Sequence, residues 1–224
     1  MSSLNSFSPA ARAVVFGASG GIGAAAVQRL NSDPAIEKIY CISRALPKLR
    51  LEKCAYVTAD ITDENALRNA AETVKEDGPI DLIMVLTGFL HDSEITPEKS
   101  ARQMNMTAFE KNFAVNCFGP ALVAKHFLPL MPRSGKSVFA ALSARVGSIS
   151  DNRLGGWYSY RSSKAALNMM IKTLSVEYGR SRKDMVILGL HPGTVDTSLS
   201  APFQGNVPEG KLFTPDYSAE KLLE

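Results

Sequence analysis

Cysteine is scarce in this chain: Cys41, Cys54 and Cys117 are its three, an odd number without the close spacing of a zinc site or a redox pair. That usage excludes a disulfide framework and suggests reduced thiols in a cytoplasmic protein, where such side chains serve packing. Charge of one sign is nowhere concentrated. The 25 basic and 22 acidic residues leave a formal net charge of +3, without a run of five or six like charges, so the basic footprint of a nucleic-acid binder is missing. No apolar stretch approaches the roughly eighteen residues needed to cross a bilayer. Residues 1–12 lack both the basic start and the apolar segment of a secretory signal and read as a flexible N-terminal tail. The expectation is a soluble protein with neither nucleic acid nor membrane as partner. His91, His126 and His191 are scattered, with no carboxylate or cysteine at ligand spacing, so no metal site is expected.

What is present is a chain of 224 residues, 45% hydrophobic, able to bury a full core and better suited to one α/β domain than to two small ones. Residues 13–224 read as that domain. The short apolar run 13–16 ends at glycines, the pattern of a buried parallel strand. From Gly21 to Leu30 the period turns helical, with Ile22, Ala26, Val27 and Leu30 on one face. After a break at 31–34 a second strand runs over 36–42. Further strands are predicted at 55–58, 80–86, 137–142 and 185–190, and helices at 64–75, about 107–130, 157–178 and 215–223. This alternation predicts an α/β fold: a single Rossmann-type, doubly wound parallel sheet with helices on both faces.

Between the first strand and the first helix stands Gly17-Ala18-Ser19-Gly20-Gly21-Ile22-Gly23. A dinucleotide pyrophosphate needs close backbone approach and a helix N-terminus at that place, and glycine, lacking Cβ, permits both. A tight turn without a ligand is the alternative. About twenty residues on, an NAD site presents a carboxylate to the ribose, whereas this chain has Ser43-Arg44. A hydroxyl and a guanidinium suit a 2′-phosphate, so NADP(H) is expected over NAD(H); a solvated surface arginine is the other option.

Tyr160 and Lys164 lie four residues apart in a predicted helix, hence on one face, a turn apart. A nearby ammonium favours phenolate, which would bring the tyrosine within reach of proton exchange with a developing alkoxide. Their crevice would be the one beyond the carboxyl ends of the strands, where Ser143 can also arrive.

The glycine turn, and Tyr160-Arg161-Ser162-Ser163-Lys164 followed by Ala165-Ala166-Leu167-Asn168, resemble a classical short-chain dehydrogenase/reductase, with C-factor-like proteins the nearest subgroup, from Ala13 to about Thr197. The resemblance implies that Asp60, followed by Ile61, contacts adenine, that Lys164 holds the nicotinamide ribose, and that Asn116 supports a water-linked proton relay. It also implies that Pro192, Gly193, Val195 and Thr197 border the carboxamide. On the residues alone, Asp60 can equally be a helix cap, Asn116 a buried asparagine satisfied by backbone, and Pro192-Gly193 a simple turn.

Three departures stand out. The family's Asn-Asn-Ala-Gly is Val85-Leu86-Thr87-Gly88 here, so Thr87 and Gly88 are expected to border the adenosine with altered hydrogen bonding. The usual catalytic serine position falls on Ala144; Ser143 is the expected oxyanion partner and Ser148 the next candidate. A seventh strand is expected after the last helix, yet none is read in these residues: either that strand lies outside this sequence or the sheet stops at six strands with an exposed edge that needs covering. Ala124, Phe127, Met169 and Leu174 read as outer apolar positions of the helices carrying Asn116 and Tyr160, through which a homodimer or homotetramer would form. Leu154, Trp157, Tyr158 and Phe89 flank the crevice. Two functions follow: an NADPH-dependent oxidoreductase of a small carbonyl or alcohol, or a dinucleotide-binding, C-factor-like signalling protein with vestigial catalysis.

Overall fold

In the computed structural model, which describes Leu4 and residues 6–45 and 50–224, the apolar run before the glycines is β1 (Ala11–Phe16) and the turn leads into α1 (Gly21–Ser32). β2 (Ile36–Ser43), β3 (Cys54–Thr58), α2 (Glu64–Lys75) and β4 (Leu82–Val85) follow. A loop then enters one helical run made of α3 (Met106–Phe113), a π turn (Ala114–Phe118), α4 (Gly119–Phe127) and a 3-10 turn (Leu128–Leu130). β5 (Ser137–Leu142), α5 (Tyr158–Tyr178), β6 (Met185–Leu190) and α6 (Pro215–Leu223) complete the alternation.

The six strands form one parallel sheet in the order β3-β2-β1-β4-β5-β6, the expected doubly wound arrangement. Phe16 pairs with Ile42 and Val85, Val85 with Ala141, and Leu142 with Leu190. The carboxyl ends of the strands therefore finish level. The order reverses between β1 and β4, which opens a crevice there.

Strands buried on both faces explain the continuous apolar runs. Val14, Phe16, Ile42, Ile83, Val85 and Phe139 face α2, α4 and α5, and the rings of Phe16 and Phe127 meet edge-on at 4.9 Å. Ala13, Val15, Ile39 and Met84 face α1 and α6. Arg29 of α1 clamps α6 by bonding the Asp216 carboxylate at 2.7 and 2.9 Å and Glu220 at 2.8 Å.

Two expectations change. Ala124 and Phe127 are core residues, not outer positions. An uninterrupted helical period over 107–130 misplaces them because the π turn inserts a residue and rotates everything after it by about 100°. The N-terminal tail is also partly docked. Leu4 and Phe7 are buried against the α1 face of the sheet, with Lys136 over the Phe7 ring at 5.0 Å; residues 1–3 and 5 lie outside the described residues. The sequence reading also missed a short parallel pair, β7 (Thr194–Val195) with β8 (Leu212–Phe213), which brackets a 3-10 segment, Ala201–Asn206.

Phe127→Ala is expected to cost about 3–5 kcal/mol through lost burial and a residual cavity. Met169→Ala, at a side chain 68% exposed, should stay within about 0.5 kcal/mol. Urea unfolding of the two variants against the parent checks both.

Candidate active site

The glycine turn is as tight as backbone allows. Gly17 sits at φ +78°, and a Cβ on Gly23 would lie 2.0 Å from the Gly17 carbonyl oxygen. α1 follows the N-cap Gly20, which supplies no side-chain cap, so no side chain of the cap takes the first N–H groups of the helix. Ser19, Gly20 and Gly21 are exposed there, and Thr197 closes over Gly21, its methyl carbon 2.8 Å from where a Cβ would stand. Beside Gly17 lies Thr87, whose hydroxyl is buried with no hydrogen-bond partner among the described residues. A cradle that excludes side chains, a bare helix N-terminus and an orphaned hydroxyl fit a dinucleotide diphosphate.

At the end of β2, Ser43 is buried and donates to the Ala45 carbonyl at 2.6 Å, while Arg44 is exposed. After β3, Asp60 accepts from the Thr62 amide and hydroxyl at 2.9 and 2.7 Å. Burial works to raise its carboxyl, but these bonds and the Arg44 charge hold it below its ordinary value. Ile61 packs under Gly119, where a Cβ would meet it at 2.9 Å. The Gly193 turn (φ +78°) leads into β7, and the Phe213 ring occupies the space of its missing Cβ. Val195 is buried, and the Pro192 carbonyl accepts from Ser218 at 3.1 Å.

α5 brings Tyr160 and Lys164 together under the crevice. Lys164, 2% exposed, donates to the Leu142 carbonyl at 2.8 Å and lies 5.8 Å from the Tyr160 ring centroid. Burial lowers its ammonium to about 8, with Cys117 working weakly the other way. The Tyr160 phenol is pushed up to about 12 by burial, so desolvation outweighs the lowering expected from the lysine. Its hydroxyl makes no hydrogen bond to any described residue; its ring meets the Trp157 ring edge-on at 6.1 Å, with the Lys164 ammonium over it.

Asn116, in the π turn, bonds both backbone groups of Phe89, at 2.9 and 2.8 Å, and its amide also reaches Asn112 and Ser163 at 3.1 and 3.2 Å. The side chain is thus satisfied inside the protein. Ser143 donates to Asn168 Oδ1 at 2.6 Å, while Asn168 Nδ2 holds the Gly147 carbonyl at 3.4 Å. Its hydroxyl proton is therefore engaged one turn beyond Lys164. Gly88 is exposed near Leu199, and Leu154 is 92% exposed on the surface.

Several residues here escaped the sequence reading. Asn112 links Asn116 to Ser159, next to Tyr160, at 3.1 Å; its spacing of four before Asn116 was the available signal. The buried Glu98 carboxylate accepts from the Ser159 amide at 3.3 Å, at the N-terminus of α5. No group of metal-ligating side chains assembles among the described residues. Two surface hollows of about 400 and 370 Å³ exist, but neither is lined by Tyr160 or Lys164.

A buried lysine leaves a signature in stability. Between about pH 8 and 10.5 the unfolded chain holds a proton that folded Lys164 has released, so its penalty fades as pH rises. Relative to Lys164→Met, the parent should gain on the order of 3 kcal/mol across that window, read from urea unfolding at pH 7.5 and 10.

The short chain dehydrogenase family model matches residues 11–207. A Rhodococcus 1-hydroxy-2-glutathionyl-2-methyl-3-butene dehydrogenase is 30% identical over 166 residues, 74% of this chain and 68% of that protein. The C-signal of Myxococcus xanthus is 36% identical over 92 residues, 41% of this chain and 54% of that protein. Among solved structures, NADPH-bound carbonyl reductase from chicken fatty liver superposes with a TM-score of 0.81 at 24% identity, covering 98% of this chain and 88% of that one. With its glycine turn, level strand ends and Tyr160–Lys164 pair, this chain belongs to the short-chain dehydrogenase family, oxidoreductases that interconvert alcohols and carbonyls with a nicotinamide dinucleotide.

Proposed function

We propose that this chain is an NADPH-dependent carbonyl reductase in which Tyr160 donates the proton and Lys164 supplies the stabilising charge. The observation that carries this reading is Tyr160 itself: a buried side chain whose hydroxyl bonds to none of the described residues, with the buried Lys164 ammonium 5.8 Å from its ring centroid. At neutral pH a phenol raised to about 12 stays protonated, the form that can protonate a carbonyl oxygen. Lys164 is protonated below about 8, and its charge in a dry site opposes the charge that develops when Tyr160 gives up its proton. When bound, the nicotinamide supplies the hydride, which is the cofactor's chemistry.

Gly17, Ser19, Gly20, Gly21, Ile22 and Gly23 would hold the diphosphate, Asp60, Ile61, Thr87 and Gly88 the adenosine, and Pro192, Gly193, Val195 and Thr197 the nicotinamide end. The exposed Arg44 supports NADPH over NADH, because a guanidinium stands where a carboxylate would repel the 2′-phosphate. Asn116 braces α3 and α4 against the loop after β4, and a relay to Lys164 would run through water rather than its saturated amide. Ser143 can donate to a substrate oxygen by giving up its bond to Asn168, either by turning its own hydroxyl or by a turn of the Asn168 amide that forfeits the bond to Gly147. The exposed Phe118, Met169 and Val176 support assembly as a homodimer or homotetramer through this helical run and α5. The three free thiols suit the cytoplasm.

A second reading, a dinucleotide-binding regulatory protein with weak catalysis, draws on Ala144, the engaged Ser143 and the likeness to C-signal. NADPH binding without Tyr160-dependent turnover of an aldehyde and ketone panel would favour it.

On that panel Tyr160→Phe is expected to lower kcat about 10²-fold or more with NADPH affinity unchanged. Ser143→Ala should retain kcat/KM within about three-fold, and a loss of 10² would restore Ser143 to the oxyanion role. Arg44→Asp should weaken NADPH binding roughly ten-fold or more and spare NADH, as read by titration calorimetry with both cofactors.

A further inference from the structure

Three aromatic side chains from three separate segments converge beside Tyr160. Trp157 precedes α5, Phe203 lies in the 3-10 segment between β7 and β8, and His91 comes from the loop after β4. Trp157 meets Phe203 edge-on at 5.0 Å, and Phe203 meets His91 at 5.4 Å. Trp157 itself stands 6.1 Å from the Tyr160 ring. His91 Nε2 donates to the Leu199 carbonyl at 3.1 Å, which ties the Phe203 segment to the β4 loop.

Helix formation does not call for the Trp157 ring. The residue occupies the N-cap of α5, where Ser, Thr, Asp, Asn or Gly would cap the helix, and it makes no side-chain cap bond. It also sits at φ +51°, after Gly155 and Gly156 at +64° and +65°, a conformation that bulky residues seldom adopt. The position is held firmly all the same. Its amide donates to the Glu98 carbonyl at 2.5 Å, and the Arg161 guanidinium clasps the Gly155 and Gly156 carbonyls at 3.2 and 3.0 Å. The result is a fixed indole wall next to the proton donor, faced by Phe203.

We propose that Trp157 and Phe203, backed by His91, form an arene clamp beside the Tyr160 ring and that the chain selects carbonyl compounds carrying an aromatic ring on, or one atom removed from, the carbonyl carbon. The reacting group rests on the carbonyl-reductase reading above; the ring preference rests on the aromatic row alone. An aryl group entering between Trp157 and Phe203 replaces their mutual contact with two ring contacts of the same kind. A saturated ring of equal size fills the space without the edge-to-face electrostatics. Two such contacts correspond to a preference of roughly five-fold or more.

Trp157 is the only tryptophan in the chain, so indole fluorescence, excited selectively over the tyrosines, reports on this site alone. The test titrates the full chain, in saturating NADP+, with 2-phenylethanol and with 2-cyclohexylethanol, whose hydroxyl-bearing carbons are alike. The clamp requires saturable quenching with a Kd at least three-fold lower for 2-phenylethanol. It also requires that Phe203→Leu bring the two Kd values together and that Phe203→Tyr keep the preference. A ratio below three in the parent, or a preference untouched by Phe203→Leu in a variant that melts like the parent, overturns it. Phenylacetaldehyde against cyclohexylacetaldehyde, with a methylene insulating each carbonyl, repeats the comparison as kcat/KM with NADPH. Selective binding without turnover of either aldehyde would defeat the reductase reading and leave the clamp standing; turnover without selectivity would do the reverse.

Discussion

The site depends on one buried cation. Lys164 is held under the crevice by the Leu142 carbonyl at the end of β5, and a charge removed from water must be answered by dipoles or lose its proton. The neighbourhood is shaped around that demand. Gly147 lets the chain after β5 press against α5, since a Cβ there would lie 2.9 Å from Lys164 backbone and side-chain carbons. With α5 seated this closely, Tyr160 one turn earlier is carried to the mouth of the crevice, and its burial keeps the phenol protonated. The two shifts run in opposite directions: burial tightens the phenol's hold on its proton and loosens the ammonium's, which keeps its own only below about pH 8.

The level strand ends do the rest of the positioning. Because β1, β2, β4 and β5 finish together, the glycine turn, Arg44, Thr87 and the Tyr160 helix all open onto one crevice although their sequence positions are far apart. Glycines at Gly17 and Gly23 allow α1 to begin almost on top of β1, which no residue with a Cβ would permit. The network from Glu98 through Ser159 and Asn112 to Asn116 fixes the first turn of α5 against α3, and every member of it is buried.

Much of this was legible in the amino-acid sequence because it follows from local rules. Apolar runs ending at glycine marked the strands, and those at 137–142 and 185–190 fall where they were expected. The glycine turn was readable from its spacing, and Tyr160 and Lys164 from helical periodicity. What could not be read depends on non-local geometry. The π turn has no compositional mark, and it moved Ala124 and Phe127 from an expected surface into the core. The sign of the Tyr160 shift depends on how completely tertiary packing dries the site, which spacing from Lys164 does not reveal. Ser143 turns to Asn168 because of where α5 lies, 25 residues on. β7 and β8 are too short to carry a period. Trp157 was recognised as flanking the crevice, but its left-handed backbone and its meeting with Phe203, from a second segment, are set only by the fold.

The clamp between Arg29 and α6 bears on the order in which the molecule can be made. Pro215, the first residue of α6, lies 3.6 Å from where a Cβ on Gly21 would stand, and Thr197 closes the same turn. The dinucleotide cradle is therefore walled by residues synthesised long after its own glycines. During translation the first βαβ unit can collapse early, but its phosphate turn stays open on one side until α6 has emerged and docked. The phosphate turn is thus walled on that side only once residue 215 has been made, and a ribosome stalled before it would display the glycine motif without its finished pocket.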